Sequence, residues 1–405
     1  MRLKEICDYI SRGTTPDYVD ESPYKVMNQA TFSKGWLDES NVRYTSKPVK
    51  DAQIKKGDLL MASTGGGVLG KVFFYDSGGD SFYADSHVSI LRNSKRNNLM
   101  KYLYYFFSIR YEEINATMVK GSTNQTELQR NYLLAYELDI PSLPEQQRIV
   151  DYLDEKLAKI DGRIKVLEKQ QDAYARLKKS IIHRAVTRGL NPNVPLKDSG
   201  IEWMGMIPEH WEVKRIKDLC SFVSRGSTPD YVDESDFPVM NQAVFSSGCI
   251  NHEVVRYSSY MKPESKIEKG DLLIASTGGG ILGKLYFFNN ENEKFYADTH
   301  VTIVRSPKKT FCVKFLYYLL SIGYNMINSC MAKGSTNQTE LQRDKLIAYE
   351  IAIPSIEEQT RIIEYLDEKC AKIDAAIDNI GKQIDASKRL KRALINEVIT
   401  GQRVV

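Results

Sequence analysis

The sequence predicts an α+β fold: two β-rich globular domains related by pseudo-two-fold symmetry, separated by a pair of long antiparallel helices forming a coiled coil. Three observations predict it. The chain is written twice, each copy opens with short alternating apolar runs, and each copy closes with a long heptad pattern poor in glycine.

The repeat comes first, because missing it would misplace every other element. SRGTTPDYVDES (11–22) returns as SRGSTPDYVDES (224–235), MNQA (27–30) at 240–243, and KGDLL (56–60) at 269–273. KGSTNQTELQR (120–130) returns unchanged at 333–343, and YLDEK (152–156) at 365–369. The offset is always 213, so Met1–Pro192 maps on Lys214–Val405 and Asn193–Val213 is unique. This period is far longer than the 20–50 residues of stacked solenoids, and each copy is long enough to own a core.

The first part of each copy reads as strands. KVMNQATF, DLLMAST, KVFFYD and FYADSHVSILR are short β-branched and aromatic runs punctuated by Gly, Ser, Asn and Asp. A helix is expected over 98–117, with a counterpart from Phe311 to Asn328; its Tyr and Phe residues fit a core better than a base-stacking platform. The second part differs in kind. Leu153, Ile160, Leu167, Tyr174 and Ile181 recur every seven residues, with Leu157 and Ile164 as a second seam. Leu366, Ile373, Ile380 and Leu394, with Ile377, Ile384 and Val398, repeat the pattern. Such a stripe is a coiled-coil signal, and its natural partner is the other copy. The expected division is 1–144 and 214–357 for the β-rich domains, 145–192 and 358–405 for the spacer helices, and 193–213 for a linker.

Composition narrows the function. With 42% hydrophobic and 27% charged residues the 405-residue chain is globular, and it has no apolar run long enough for a membrane helix. MRLKEICDYI carries no apolar signal region. The six cysteines show no C-x-x-C spacing, so a metal site is not indicated and a cytoplasmic chain with reduced thiols is expected. Net charge is +4, compatible with nucleic acid without demanding it. Between Ala173 and Lys197 there is no acid, while Arg176, Lys178, Lys179, Arg184 and Arg188 are present; a helix C-terminus favours such charge in any case.

The sequence now resembles a known family. The opening S-R-G-[TS]-T-P, the K-G-D-L-L strand, K-G-S-T-N-Q, the I-P-S-x-x-E-Q-x-R-I-[IV]-x-Y-L-D-E-K segments at 140–156 and 353–369, and GIEWMGMIPEHWE (200–212) resemble the specificity subunit of type I restriction–modification enzymes, over essentially all 405 residues. The lead-in GIEWMGMIPEHWE stands only before the second domain, so either the first lacks a tie that the second has or the start is a shortened one. The resemblance implies a non-catalytic subunit with two target recognition domains. It implies double-stranded DNA, two methyltransferase subunits and, for restriction, two motor–nuclease subunits as partners, with no membrane. S-adenosylmethionine would belong to the methyltransferase, ATP and Mg to the motor, and no cofactor to this chain. The spacer helices, with Leu153, Ile160, Leu167, Leu366, Ile373 and Ile380, would serve as spacer and docking platform.

Chemistry of the chain's own is not indicated. No [DN]-P-P-[YF] loop is present. Asp85–Ser86–His87 and Asp298–Thr299–His300 are the nearest to a catalytic cluster and fit a structural or DNA-contact role better. Gly65, Gly70 and Lys71 have the spacing of a phosphate-cradling loop, but Val72 replaces its Ser or Thr, and KVFFYD reads as a strand where a helix is required. The loop is better read as a strand–loop–strand whose Ser63, Thr64 and Lys71, like Ser276, Thr277 and Lys284, could touch DNA phosphate.

Base reading needs Arg, Asn or Gln side chains on loops. The candidates are Arg12, Thr14, Thr15, Tyr18, Asn28, Gln29, Lys120, Ser122, Asn124 and Gln125, with their echoes Arg225, Ser227, Thr228, Tyr231, Asn241, Gln242, Lys333, Ser335, Asn337 and Gln338. Matching readers in both copies predict nearly equal half-sites, hence a split, near-palindromic target. The rival reading is a stand-alone pseudo-symmetric DNA-binding regulator or adaptor. The 18 basic and 17 acidic residues of 1–144 favour a partnered reader.

Overall fold

The structure, a computed structural model, describes residues 1–65, 67–77, 81–95, 97–120, 126–278, 280–307, 311–323, 327, 331–334 and 339–405. By packing, the chain forms two compact units: Met1–Glu168 with Lys382–Val405, and Lys169–Gly381.

Each unit is built on two four-stranded sheets. In the first, Tyr9–Arg12, Val88–Arg92, Asp58–Ala62 and Val72–Tyr75 pair antiparallel in that order. Tyr18–Val19, Arg43–Thr45, Lys25–Met27 and Phe82–Ala84 form the second sheet, with its last pair parallel. Side chains of a strand alternate between faces, so Leu59 and Met61 enter one core with Leu103, Phe107 and Leu153. Leu60 and Ala62 enter another with Met27, Phe32 and Ile90. The second unit repeats this: Leu272 and Ile274 join Phe315 and Leu366, while Leu273 and Ala275 join Met240 and Phe245.

The KGD turn is held by a buried ion pair. Asp58 is fully buried; Arg92 Nε and Nη2 donate to its two oxygens at 2.6 Å each, and the Lys55 amide donates at 2.7 Å. Asp271 and Arg305 repeat the fork at 2.7 Å. Burial pushes the Asp271 carboxyl up, against the pull of Arg305.

The Tyr/Phe-rich helix breaks in two, Asn97–Ser108 and Tyr111–Thr117, where one helix over 98–117 was expected. Tyr102, Tyr105, Phe106 and Phe107 are buried, which fits a core role. In the second copy the helix is Val313–Ser321.

The long helices are Leu143–Arg188 and Ile356–Ile399. Gly189, at φ +69°, ends the first, as a glycine beyond a helix commonly does. Gln146 and Gln359 start them by donating to the carbonyls of Pro141 and Pro354 at 2.7 and 2.9 Å. Asp154 anchors the first to its domain through Lys101 Nζ at 2.6 Å and the Tyr105 hydroxyl at 2.5 Å; Asp367 does the same with Lys314 and Tyr318.

Within each unit the two helices run antiparallel. In the first, Arg148 Nε donates to Val405 O and Lys391 Nζ to Asp161, while Leu394, Ile395 and Val398 enter the core. In the second, Lys178 Nζ donates to Asp374, and Ile182, Ala185 and Val186 enter the core. Lys178–Asp374 and Lys391–Asp161 are the same pair displaced by the repeat. Of the heptad positions, Leu153, Leu157, Leu167, Leu366, Ile373, Ile380, Ile384, Leu394 and Val398 are buried, while Ile160, Ile164, Ile181 and Ile377 are half-buried. Tyr174 is exposed, contrary to the expected seam; its twin is Ser387, so both helices carry a polar atom at that level instead of an aliphatic one.

The linker 193–213 completes the second unit. Leu196–Asp198 and Met206–Pro208 form a hairpin, Trp211 is fully buried against Phe315, and Glu212–Arg215 pairs with Glu350–Ile353. In the first unit the corresponding edge carries the Arg2–Glu137 bridge, the Met1–Leu138 hydrogen bonds and the Leu3 amide donating to Tyr136 O. There Asp139 stands exposed where Ala352 is buried.

The five described cysteines are free thiols. Burial, helped by Asp8, pushes the Cys7 thiol up to about 12 from an ordinary value of 9.0. A raised folded-state value means that the stabilisation is fully present below about 9 and is lost as pH rises toward 12. Urea unfolding at increasing alkaline pH is expected to show a decline approaching one proton, about 1.4 kcal/mol per pH unit. Cys7→Val should make that decline shallower; an unchanged slope would place the loss elsewhere.

Candidate nucleic-acid interface

The repeated motifs, far apart in sequence, meet at one place in each unit. Gly13 brings the SRG-TP segment against the Phe82–Ala84 strand: its amide donates to Val88 O, and the Thr14 amide to Ala84 O. A Cβ on Gly13 would stand 2.1 Å from Ala84 O, and one on Gly226 would stand 1.9 Å from Ala297 O, so only glycine fits. The glycine-rich loop joins Asp58–Ala62 to Val72–Tyr75, and Gly65, Gly67 and Gly70 have φ of +89°, +82° and +84°. It is a strand–loop–strand with positive-φ turns and lacks the following helix that a nucleotide loop requires. The flank of the KGSTNQ segment is stapled onto it: the Leu128 amide donates to Ser63 O, and Thr64 bridges Glu127.

The side chains form a chain of contacts. Asp85 is almost wholly buried; its Oδ1 accepts from the His87 amide at 2.8 Å and its Oδ2 from the Tyr18 hydroxyl at 3.4 Å. His87 is exposed, with Nδ1 2.7 Å from Thr64 Oγ1, and that hydroxyl donates to Gln29 Oε1 at 3.3 Å. The Thr64 contact engages Nδ1, so Nε2 is the ring nitrogen left for the outside. Tyr18 is 41% exposed, and the Arg43 guanidinium lies 5.0 Å from its ring centre. Arg12 Nε donates to Ser86 O and its Nη1 lies 3.5 Å from Glu127.

The second unit repeats the arrangement. Asp298 Oδ1 accepts from the His300 amide at 2.9 Å, and Thr277 Oγ1 is 2.7 Å from His300 Nδ1. Arg256 lies 3.5 Å from the ring centre of the exposed Tyr231. Arg225 Nη2 reaches Glu340 at 3.3 Å and Leu341 O at 3.2 Å. Gln242 Oε1 is buried with no hydrogen-bond partner among the described residues. Burial pushes the Asp85 and Asp298 carboxyls up, opposed by the histidine amides. It also raises the Tyr18 and Tyr231 hydroxyls, assisted by those same aspartates. A carboxyl this deeply enclosed organises its neighbours and offers no open face to a substrate.

Several candidates have other tasks. Ser63 and Ser276 are fully buried, bonded to Ser89 and Thr302 at 2.6 Å, so the expected phosphate contact is corrected to a core role. Asn28 Oδ1 caps the Gln29–Phe32 helix by accepting from Ala30 and Thr31, and Asn241 does so for Ala243 and Val244, which occupies the oxygen a base reader needs. Ser227 is buried against Ser265, whereas Thr15 and Thr228 are exposed. Lys71 is half-buried; Lys284 Nζ donates to Ser246 O. Lys333 is exposed on a short strand paired with Glu340–Leu341. Ser122, Asn124, Gln125, Ser335, Asn337 and Gln338 lie outside the described residues, as does the Lys120 side chain. Arg43 and Arg256 were missed; each follows a small polar cluster in sequence, and only sheet pairing sets it beside a tyrosine. The seam residues named for docking, Leu153, Leu167, Leu366, Ile373 and Ile380, are buried inside the units and serve the pairing, so they are not open to a partner.

Each β-rich unit thus presents an exposed tyrosine with an arginine over its ring, near an exposed histidine. The family model for the type I restriction modification DNA specificity domain matches residues 1–169 and again 208–385, and the chain belongs to that family. The MjaX and MjaVIII type I restriction enzyme specificity subunits of Methanocaldococcus jannaschii are each 24% identical to it, over 412 and 414 residues, 99% of this chain and 92% of each relative. A chain from a structure concerning complex assembly and conformational transition of the type I R-M system superposes with a TM-score of 0.72 at 16% identity, covering 98% of this chain and 96% of that one. Among the described residues no helix is long and apolar enough to cross a membrane.

Proposed function

We propose that this chain is the non-catalytic DNA-reading subunit of a cytoplasmic type I modification enzyme, that each unit reads one half of a split site, and that the two halves are nearly the same. The observation that carries the reading is the duplicated Tyr–Arg pair beside a Thr–His–Asp chain, one per unit, in a member of the specificity family. Stacked Tyr–Arg pairs offer π-faces and donors to base edges and phosphates, and each exposed histidine adds a ring nitrogen. Adenine-N6 methyl transfer and its S-adenosylmethionine belong to two methyltransferase subunits. ATP and Mg belong to motor–nuclease subunits that join for restriction.

Leu177 and Leu390 occupy equivalent positions on the two long helices and are 47% and 56% exposed, which suits partner docking. Mapping N6-methyladenine in cells carrying this chain and its methyltransferase is expected to return a split, near-palindromic motif; two unrelated half-sites would sink the equality of the readers. In the same cells, Leu177→Asp with Leu390→Asp is expected to abolish a one-to-two complex on size exclusion. A chain that binds its duplex tightly with no methyltransferase co-eluting would favour the stand-alone regulator.

A further inference from the structure

We propose that the end of the first long helix carries an anion pocket that docks an acidic segment of a protein partner. In the second unit, His183, Arg184, Arg188, Asn191, Val194 and Leu196 line a cavity of about 400 Å³ where the helix gives way to the linker. The two arginines and the histidine are exposed, and neither guanidinium has an ion-pair partner among the described residues. The Glu358 carboxylate beside Gly189 is already engaged by His210 Nε2 at 2.8 Å.

The helix dipole does not account for this cluster. Cations near a C-terminus are favoured in any helix. Yet the second long helix carries Asn396, Glu397 and Gly401 at the corresponding positions, with no basic residue in its last turn. Its Glu397 is paired with Arg403 at 2.7 Å. In a chain duplicated through its recognition motifs, these two guanidinium groups and the histidine stand at one helix end only.

The lining points to a protein ligand. Ile182, Ala185 and Val186 of this helix end pack on the face bearing Leu272, Ile274 and Val304. An arginine fork matches a carboxylate bidentately, and Val194 with Leu196 offers apolar wall to the methylenes of a glutamate. This site is independent of how the units read DNA.

The test uses the full chain and a fluorescein-labelled octaglutamate peptide bearing a C-terminal benzophenone, read by anisotropy and then cross-linked. Arg184→Gln with Arg188→Gln is expected to weaken the peptide by roughly tenfold or more, two charge-assisted bonds being lost. Cross-links should map within 183–196, and affinity for the chain's own duplex should not change. Equal peptide affinity in both proteins, or cross-links mapping elsewhere, would overturn the proposal. A duplex affinity that falls with a salt slope shallower by about 2 would assign the arginines to DNA phosphate and overturn it too. Should the double variant lose its fold by circular dichroism, Arg184→Gln alone carries the same readouts.

Discussion

Gly13→Ala is expected to destabilise the first unit by more than about 4 kcal/mol, with Gly226→Ala doing the same to the second, because each forces a methyl group into main chain. The obstacle is the carbonyl of Ala84 or Ala297, at 2.1 and 1.9 Å, and a backbone atom of a paired strand cannot swing aside as a flexible side chain can. Hydrogen exchange gives the local reading. Gly13→Ala should strip protection from Val88–Arg92 and leave Leu272–Ala275 protected, and Gly226→Ala should do the reverse. Gly162→Ala is the control: nothing lies within 4 Å of its Cβ, and it sits mid-helix, so a gain of about 0.5–1 kcal/mol is expected. Wild-type protection in Gly13→Ala would mean that the close approach is not part of the folded state.

Asp58→Ala is expected to cost about 3–5 kcal/mol, measured by urea unfolding, because it leaves the Arg92 guanidinium enclosed without its counter-charge and frees the Lys55 amide. The full penalty belongs to the unpaired charge rather than to the pair. Asp58→Leu with Arg92→Met should therefore recover most of it. Lys391→Ala removes an ion pair of similar length, 2.7 Å to Asp161, but that pair is wet and the loss should stay within about 1 kcal/mol. Equal losses in Asp58→Ala and Lys391→Ala would show that burial does not separate them.

Much of the fold was legible because it rests on local periodicity. The strand runs, the heptads and the 213-residue offset each reflect side chains that alternate or wind within one segment. The glycine-rich loop was legible too, since the missing hydroxyl at Val72 and the aromatic run after it exclude a phosphate-cradling turn. The candidate site was only partly so. Residues such as Asn28 and Ser63 have the right chemistry for DNA, but a side chain serves one geometry at a time: Asn28 spends its oxygen on a helix cap and Ser63 is sealed in the sheet.

What the sequence by itself determined is the doubling of the chain, the strand-then-helix order of each copy and the family they resemble, because these are patterns within a segment or between its copies. Only the tertiary structure decided which residues share a surface. It set Tyr18 beside Arg43, hung His87 on Thr64 and carried Leu394 and Val398 into the core of the first unit. Those contacts join residues tens to hundreds of positions apart, and their partners are fixed by sheet register and helix packing, which no local spacing encodes.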